Sequence, residues 1–243
     1  MNNDKDNLFA GKQNKVSDFV FDSNVAGVFE DMINRSVPGY AAIINMIGMV
    51  AKRYVKPQTN CYDLGCSLGA SSLSMARNID QEGVKIIAID NSQAMVDSFV
   101  NKLSDNKLSS EVEVLCDDIC NVTIERASMV VLNFTLQFFN PQRRKDLVQK
   151  IYDGMCEGAV LVVSEKIDFD DEKEKEFQTE MHHVFKGLQG YSDLEISQKR
   201  TALENVLIPD TLDVHKERLT KAGFSQVDVW FQCFNFVSLI ARK

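Results

Sequence analysis

Apolar residues along this chain recur with two different periods, and each change of period marks a predicted element. Short continuous or alternating apolar runs, typical of strands, are separated by stretches with an apolar stripe at helical spacing. A first strand is predicted to end at Asp63, and further strands at 85–90, 111–116, 128–139, 160–166, 227–234 and 234–241. The connection between the last two is too short for a helix, so an antiparallel hairpin is predicted there.

Helical patterns also occur outside the strand–helix alternation. Residues 16–55 carry two apolar stripes with a Pro-Gly break between them, and they are predicted to form lid helices over the carboxyl edge of the sheet. Residues 168–210, after the fifth strand, are predicted to be a helical insertion that overhangs the same edge. The first inserted helix is predicted to bury Phe177, Met181, Val184, Phe185 and Leu188, with His182 and His183 off that face.

The turn after the first strand carries the clearest chemical signal. Its order is Asp63-x-Gly65-x-Ser67-x-Gly69, which differs from the G-x-G-x-x-G fingerprint of dinucleotide sites. It resembles the acidic glycine turn of the S-adenosylmethionine-dependent methyltransferase fold, with Ser67 in the middle glycine position. Asp90 ends the next strand, where an acid accepts hydrogen bonds from ribose hydroxyls. A βαβ turn of another α/β protein is the alternative.

Other side chains at the same edge are candidates for ligand contact. Asp118 follows the third strand, where an acid can read an adenine amino group or be a simple loop acid. Asn133 interrupts the fourth strand and faces a ligand or caps a helix. Tyr40 either donates a hydrogen bond to a ligand or is a packed aromatic residue. Lys199 or Arg200 supplies a cation to the site or is a solvated surface charge.

Composition narrows the class of protein. The 243 residues, of which 44% are apolar, suit one domain spanning 1–243. A net charge of −8 argues against tight binding to nucleic acid. The six cysteines lack metal-ligand spacing, and Cys61, Cys116 and Cys233 are expected to be buried in strands of a cytoplasmic protein without a metal. No apolar run is long enough to span a bilayer, and residues 1–15 are polar and predicted to be mobile.

Six segments together resemble the carboxy-S-adenosyl-L-methionine synthase family, from about residue 19 to the C-terminus. They are RSVPGY at 35–40, YDLGCS at 62–67, IDNS at 89–92, ASMVVLNFTLQF at 127–138, GYSDLEISQKR at 190–200 and WFQCFNF at 230–236. The resemblance implies an α/β, Rossmann-like methyltransferase fold, with a mostly parallel seven-stranded sheet and an antiparallel edge strand.

The resemblance also implies a reaction. Prephenate and S-adenosyl-L-methionine would give carboxy-S-adenosyl-L-methionine, phenylpyruvate and water. The departing ring hydroxyl would take the methyl proton, which agrees with the absence of a nucleophile motif. The family is dimeric, and a separate tRNA carboxymethyltransferase uses the product on wobble uridines. Direct contact with nucleic acid or membrane is therefore not expected.

The matching positions acquire roles through the resemblance. Tyr40 is expected to contact the cofactor from the lid, and Asn133 to lie near the sulfonium. Arg200 is expected to clamp the new carboxylate and to set product selectivity, from its own or the partner subunit. The remaining cofactor contacts implied are Gly65, Cys66 and Ser67 around the amino-acid part, Asp90 and Asn91 at the ribose and adenine edge, and Asp118 and Ile119 beside the adenine.

Two other functions share these cofactor residues. An ordinary methyltransferase for a small molecule or tRNA would differ in the role of Arg200. A non-catalytic S-adenosylmethionine-binding scaffold would bind the cofactor without turnover. The sequence does not identify the residues that bind prephenate.

Overall fold

Seven strands form one sheet in the order β3-β2-β1-β4-β5-β7-β6. The computed structural model describes residues 5–104, 108 and 110–243. Strands β1 to β5 are parallel to their neighbours, whereas β7 runs antiparallel to both β5 and β6. The strands are β1 Asn60–Leu64, β2 Lys85–Asp90, β3 Glu111–Cys116, β4 Ala127–Asn133, β5 Met155–Lys166, β6 Gln226–Cys233 and β7 Phe236–Arg242. This topology confirms the predicted fold class.

The order of strands reverses between β1 and β4. From β1 the chain first builds outward through β2 to β3 and then returns to add β4 on the other side of β1. The loops that leave the carboxyl ends of β1 and β4 therefore diverge and open a crevice between them. Open α/β sheets bind ligands in such a crevice.

Helices cover both faces of the sheet. They are α1 Ser23–Ser36, α2 Tyr40–Tyr54, α3 Ala70–Asn78, α4 Gln93–Ser104, α5 Arg144–Gly154, α6 Glu172–Leu188, α7 Asp193–Leu203 and α8 Leu212–Ala222. Helices α2 and α3 pack on one face, against residues such as Ile86 and Met129. Helices α5 and α8 pack on the other, against Val130 and Leu161. Since successive strand residues point to opposite faces, neighbours such as Met129 and Val130 belong to different cores.

The two helices predicted as a lid occupy different places. Helix α2 is part of the core, because Ile43, Ile47 and Ala51 are fully buried against the sheet. Helix α1 lies above the carboxyl edge, where Val25 and Met32 pack with Leu68 of the glycine turn. Only α1 and the first residue of α2 are thus positioned next to the crevice. Whether α1 opens and closes stays a prediction.

The predicted burial of α6 is wrong. Phe177, Val184 and Leu188 are 54%, 47% and 81% exposed, whereas His182 and Lys186 are buried at 6% each. Spacing shows which residues share a helix face, but it does not show which face meets the protein. This helix turns its polar face inward because that side borders a cavity.

Three smaller predictions also need correction. The fourth strand ends at Asn133 rather than 139, because Phe134 has a left-handed backbone with φ 61° and a short 3-10 turn follows. Cys116 is exposed and Cys233 half-buried, so neither is the core residue that was expected. Residues 5–13 are anchored, with Asp6 only 1% exposed, while residues 1–4 lie outside the described part of the chain.

Candidate active site

A cavity of about 610 Å³ follows the carboxyl edge of the sheet from β3 to β5. Its size is typical of a small-molecule site. The cavity is bounded by the strand ends, by α1 and by the inserted helices α6 and α7. All the predicted site residues line it, namely Tyr40, Gly65, Cys66, Ser67, Asp90, Asn91, Asp118, Ile119, Asn133 and Arg200. The structure therefore brings them together, and their individual roles remain predictions.

The glycine turn between β1 and α3 has three residues in the left-handed region. Gly65 (φ 80°) must lack a side chain, because a Cβ would lie 2.6 Å from the side chain of Thr135. At Gly69 (φ 79°), a Cβ would lie 2.0 Å from the ring of Phe99. Ser67, at φ 49°, adopts the same region with a side chain present. This conformation is costly for a non-glycine residue and explains why glycine suits the middle position of the motif.

Asp90 fixes the turn from the end of β2. One carboxylate oxygen accepts from the backbone N–H of Ser67 at 2.8 Å, and the other from that of Ser92 at 2.9 Å. Burial raises the pKa of this carboxyl, while the two hydrogen bonds favour its charged form. A carboxylate has about four lone-pair sites, so both oxygens can still accept from ribose hydroxyls.

Acidic and amide side chains continue beyond Asp90. We call Asp90, Asn91, Asp117 and Asp118 the acidic end of the cavity. Asp118 accepts from the backbone N–H of Cys120 at 2.8 Å, which holds its loop next to Ile119. This arrangement can accept hydrogen bonds from a nucleoside and would repel an anion.

Aromatic rings that were not predicted form the outer wall of this end. Phe21 makes edge-to-face contacts with Phe19 at 5.1 Å and with Phe138 at 5.2 Å between ring centroids. Such rings provide an apolar surface for a planar base. Phe19 and Phe21 precede α1 in a segment without regular spacing, so no pattern in the sequence indicated their position.

The middle of the cavity contains an unsatisfied amide. The Oδ1 atom of Asn133 is buried and has no hydrogen-bond partner in the part of the chain that the structure describes. Leaving a buried acceptor unpaired costs about 1–3 kcal/mol, so a ligand is expected to complete it. Tyr40 also lines the cavity, with its ring tilted against that of Phe134 at 6.3 Å between centroids, and burial raises the pKa of its hydroxyl. The Tyr40 hydroxyl is therefore a hydrogen-bond donor at neutral pH.

Glu165 positions the loop after β4 and was not predicted. Its two carboxylate oxygens accept from the backbone N–H groups of Leu136 at 2.8 Å and Gln137 at 3.0 Å. Burial raises its pKa to about 8, against the opposing effect of those hydrogen bonds. The side chain of Gln137 in turn accepts from the N–H of Lys166 at 2.9 Å. The ends of β4 and β5 are thereby linked beneath the cavity.

Four cations line the cavity near the end of β5 and the C-terminal parts of the inserted helices α6 and α7. We call Lys166, Lys186, Lys199 and Arg200 the cationic end. Burial, with help from neighbouring cations, lowers the pKa of Lys186 to about 7. Burial also lowers the pKa of Lys199 to about 8, although Asp6 opposes that shift. In a chain of net charge −8, a cluster of four cations, two of them buried, indicates an anionic ligand.

His182 belongs to this end but is neutral. Its Nε2 atom lies 2.8 Å from the carbonyl oxygen of Ser36, which can only accept, so Nε2 carries the proton. Its ring also meets Phe236 edge-to-face at 4.9 Å. Burial and nearby lysines lower its pKa to about 2. It therefore fixes α6 against α1 without adding charge.

The N-terminal segment fastens α7 behind the cationic end. Asp6 accepts from the hydroxyl of Tyr191 at 2.5 Å and lies 3.5 Å from the ammonium of Lys199. The guanidinium of Arg35 stacks on the ring of Tyr191 at 3.8 Å and pairs with Asp31 at 3.0 Å. Lys199 is thus an internally paired cation. Arg200, the next residue, is exposed and lines the cavity.

Two classes of site can be assessed over the described ranges. Residues 5–104, 108 and 110–243 contain no group of three or more His, Cys, Asp or Glu side chains arranged for a metal ion. Across the same ranges, no helix combines the length and apolarity that a bilayer crossing requires.

Comparison with known proteins agrees with this architecture. A family profile described as a methyltransferase domain matches residues 62–158. The chain is 55% identical over 239 residues to the carboxy-S-adenosyl-L-methionine synthase of Photobacterium profundum, covering 98% of both chains. It is 56% identical over 238 residues to that of Vibrio parahaemolyticus, covering 98% of this chain and 97% of the relative.

A solved structure supports the fold. A putative S-adenosyl-L-methionine-dependent methyltransferase from Methanococcus maripaludis superposes with a TM-score of 0.59. The two share 20% identity, and the superposition covers 96% of this chain and 97% of the other. At this identity the likeness concerns the fold alone.

Proposed function

The chain belongs to the carboxy-S-adenosyl-L-methionine synthase family, and we propose that it transfers a carboxyl group from prephenate to the methyl group of S-adenosyl-L-methionine. It is an enzyme of the methyltransferase fold. The observation that carries the choice of donor is the cationic end of the cavity. An ordinary methyl transfer from a sulfonium needs no buried cations, whereas prephenate is a dianion and the product gains a carboxylate.

We propose one direction for the cofactor in the cavity. Its ribose and adenine are proposed to contact Asp90, Asn91, Asp118 and Ile119. Its amino-acid part is proposed to contact the turn at Gly65, Cys66 and Ser67. The sulfonium then lies near Asn133 and Tyr40, at the middle of the cavity. Its methyl group consequently faces the cationic end, where an anionic donor would be held. This geometry supports transfer between the two ligands without a covalent protein intermediate.

The reaction balances without an external reagent. The bond between the prephenate ring and its carboxylate breaks, and its electron pair makes the ring aromatic as hydroxide leaves. That hydroxide takes a proton from the sulfonium methyl group and becomes water. The methyl carbon, now an ylide stabilised by the positive sulfur, attacks the released CO2 and forms the new carboxylate. A site enclosed by α1, α6 and α7 keeps both the ylide and CO2 from bulk water.

Arg200 is the proposed catalytic residue in this scheme. It has no hydrogen-bond or ion-pair partner within the described residues, and it lines the cavity. A guanidinium binds a carboxylate through two parallel hydrogen bonds, which gives both affinity and orientation. We propose that Arg200 clamps the carboxylate as it forms on the cofactor.

We further infer a homodimer that works in the cytoplasm. Phe177, Val184 and Leu188 expose a row of large apolar side chains on the outer face of α6. Such a row is typical of a surface that a partner covers. Arg200 also borders a second, shallower groove between α6 and α7 on that outer side. The product is proposed to serve a separate tRNA carboxymethyltransferase that modifies wobble uridine, which needs no contact between this chain and tRNA.

Mass spectrometry of released ligands tests the reaction. The purified enzyme is denatured before and after incubation with S-adenosyl-L-methionine and prephenate. We expect a species heavier than S-adenosyl-L-methionine by one CO2, growing with prephenate, together with phenylpyruvate. If only S-adenosyl-L-methionine or its demethylated product appears, the carboxyl transfer is wrong and an ordinary methyltransferase becomes the better description. Ligand binding without any turnover would instead favour a scaffold.

A further inference from the structure

Two lysines at the cationic end form no ion pair within the part of the chain that the structure describes. Lys186 on α6 is 6% exposed, and its ammonium has no hydrogen-bond or ion-pair partner among the described residues. Lys166, at the end of β5, is half-buried and likewise unpaired within those residues. Both line the cavity. Burying an ammonium without a partner is strongly unfavourable, so this arrangement requires a reason outside the stability of the fold.

Neighbouring acids act on this pair without bonding to it, since Asp168 favours the charged form of Lys166 and Asp6 that of Lys186. Asp6 lies 3.5 Å from Lys199, and Asp168 bonds to Lys175 at 2.8 Å. Around Lys186 the charges are mainly positive, because Lys199 and Lys166 both disfavour its protonated form. The titratable groups that face it are Lys166 on β5, His182 and His183 on its own helix, Lys199 and Arg200 on α7, and Asp6 in the N-terminal segment.

We propose that Lys166 and Lys186 form the subsite for the carboxylate of the donor that the reaction leaves intact. This inference rests on the proposed function and names the donor's binding residues. The donor has two carboxylates, and the one lost as CO2 must lie beside the sulfonium methyl group. Ion pairing stabilises a carboxylate in the ground state and opposes its loss. We therefore expect a strong ion pair with the other carboxylate, which lies on the side of the donor away from the cofactor.

Position in the fold agrees with this division. Lys166 is the last residue of β5, and the neighbouring strand β4 ends at Asn133 in the middle of the cavity. Lys166 is therefore one strand farther than Asn133 from the proposed nucleoside site, and Lys186 of α6 lies near it. The acidic end beyond β1 would repel a carboxylate, so a dianionic donor has one favourable place and orientation.

Binding at this pair is coupled to a proton. Burial lowers the pKa of Lys186 to about 7 in the ligand-free enzyme, and that of Lys166 is also lowered. A bound carboxylate favours the ammonium and raises the pKa of Lys186. Above pH 7 the free lysine is largely neutral and must gain a proton when the anion binds. Affinity for the anion is thus greatest below pH 7 and falls as pH rises through that value.

Phenylpyruvate is a suitable probe because it retains the carboxylate in question and undergoes no transfer. Lys186→Met and Lys166→Met remove one charge each at similar volume, and Lys52→Met changes an exposed lysine as the matched control. For Lys186→Met we expect the KM for prephenate and the inhibition constant of phenylpyruvate to rise about thirtyfold. The Kd for S-adenosyl-L-methionine should stay within about twofold. Lys166→Met should raise the same two constants for prephenate and phenylpyruvate. Lys52→Met should change none of the three constants.

Two further measurements separate binding from folding. Without ligand, Lys186→Met should melt at a higher temperature than the wild type, because an unpaired buried charge is removed. Titration calorimetry of phenylpyruvate at pH 8, in buffers of different ionisation enthalpy, should show proton uptake by the wild type and none by Lys186→Met. A lower melting temperature together with unchanged phenylpyruvate inhibition would mean that Lys186 is structural, and would overturn the proposal.

The remaining outcomes distinguish this inference from the function on which it rests. Equal losses for S-adenosyl-L-methionine and phenylpyruvate would assign the lysines to the cofactor and contradict the subsite. If Lys166→Met and Lys186→Met transfer the carboxyl group as well as the wild type, the proposed reaction is supported and the proposed subsite is wrong. If phenylpyruvate binding depends on the two lysines but the enzyme makes no carboxylated cofactor, the subsite is supported and the proposed reaction is wrong. If the wild type neither binds phenylpyruvate nor uses prephenate, both are wrong.

Discussion

The two ends of the cavity are built from different parts of the fold and are held in different ways. At the acidic end, Asp90 and Asp118 sit directly after parallel strands, and each carboxylate accepts from backbone N–H groups of its own loop. At the cationic end, Lys186 and Arg200 project from inserted helices and have no partner in the described part of the chain. The carboxylates at the acidic end therefore have hydrogen-bond partners without a ligand, whereas Lys186 and Arg200 at the cationic end do not have partners among the described residues.

This difference indicates how a methyltransferase fold can acquire another reaction. The strand ends supply a rigid cofactor site that many related reactions share. The inserted helices add charge at the end of the cavity toward which the methyl group is proposed to point, at a cost in stability that a bound ligand would offset. Changes at the acidic end should therefore alter cofactor affinity. Changes at the cationic end should alter the second substrate, the product or stability.

The largest effect is expected on the free energy of unfolding, at the ion pair between the N-terminal segment and the cationic end. Asp6→Asn removes the carboxylate next to Lys199, a pair whose side chains are 1% and 6% exposed. Because breaking a buried pair leaves its partner charged and unpaired, we expect unfolding free energy to fall by about 3–5 kcal/mol. Urea titration measures this. Asp18→Asn, an exposed change in the same segment, is the control and should stay within about 0.5 kcal/mol. Equal values for the two variants would contradict the anchoring role.

The next effect tests the acidic end. Asp90→Ala removes the acceptor for the N–H groups of Ser67 and Ser92 and for the ribose. We expect the Kd for S-adenosyl-L-methionine to rise at least a hundredfold, about 3 kcal/mol, because hydrogen bonds to a charged group are lost. Calorimetry measures it, with Asp97→Asn on the exposed side of α4 as control. If the KM for prephenate changes more than the cofactor Kd, the two ends are not independent.

The sequence predicts the position of the acidic end for a physical reason. A turn between a parallel strand and a helix restricts both backbone angles and spacing, so the pattern of Gly65, Ser67 and Asp90 predicts where these residues lie in the fold. Seven strands were predicted from the apolar runs and the sheet topology from the resemblance, and the structure confirms both.

The cationic end could not be predicted in this way. The five apolar residues of α6 suggested the buried face, yet the structure buries Lys186 and exposes Phe177. Burial on an inserted helix is decided by what surrounds it, here a cavity, and residue spacing does not contain that information. The insertion made Lys199 or Arg200 a candidate cation, and only the resemblance to a family chose Arg200 between them. Asp6 was missed because one acid in a polar terminus carries no local signal.

A smaller effect tests the ligand of Arg200. Arg200→Ala should weaken binding of carboxy-S-adenosyl-L-methionine by about 2 kcal/mol, near thirtyfold, through loss of a charge-assisted pair. Binding of S-adenosyl-L-methionine should change less than threefold, about 0.6 kcal/mol. Arg200→Lys should recover only part of the loss, because lysine cannot form two parallel hydrogen bonds. Competition binding with both cofactors measures the ratio. Equal losses for the two cofactors, or none, would count against a carboxylate clamp.

The smallest effect concerns the one residue of the turn that departs from the glycine pattern. Ser67 has φ 49°, where a side chain costs about 1–2 kcal/mol, and within the described residues its hydroxyl bonds only to the sulfur of Met95 at 3.5 Å. Ser67→Gly should relieve that strain, while the greater freedom of glycine in the unfolded chain offsets about half of the gain. The expected net change is about 0.5 kcal/mol of added stability, measured by urea unfolding, with the N–H group still bonded to Asp90. Ser67→Ala keeps the strain and removes the hydroxyl. If Ala stabilises as much as Gly, the hydroxyl rather than the backbone is unfavourable, and the turn is less rigid than the comparison with the cationic end requires.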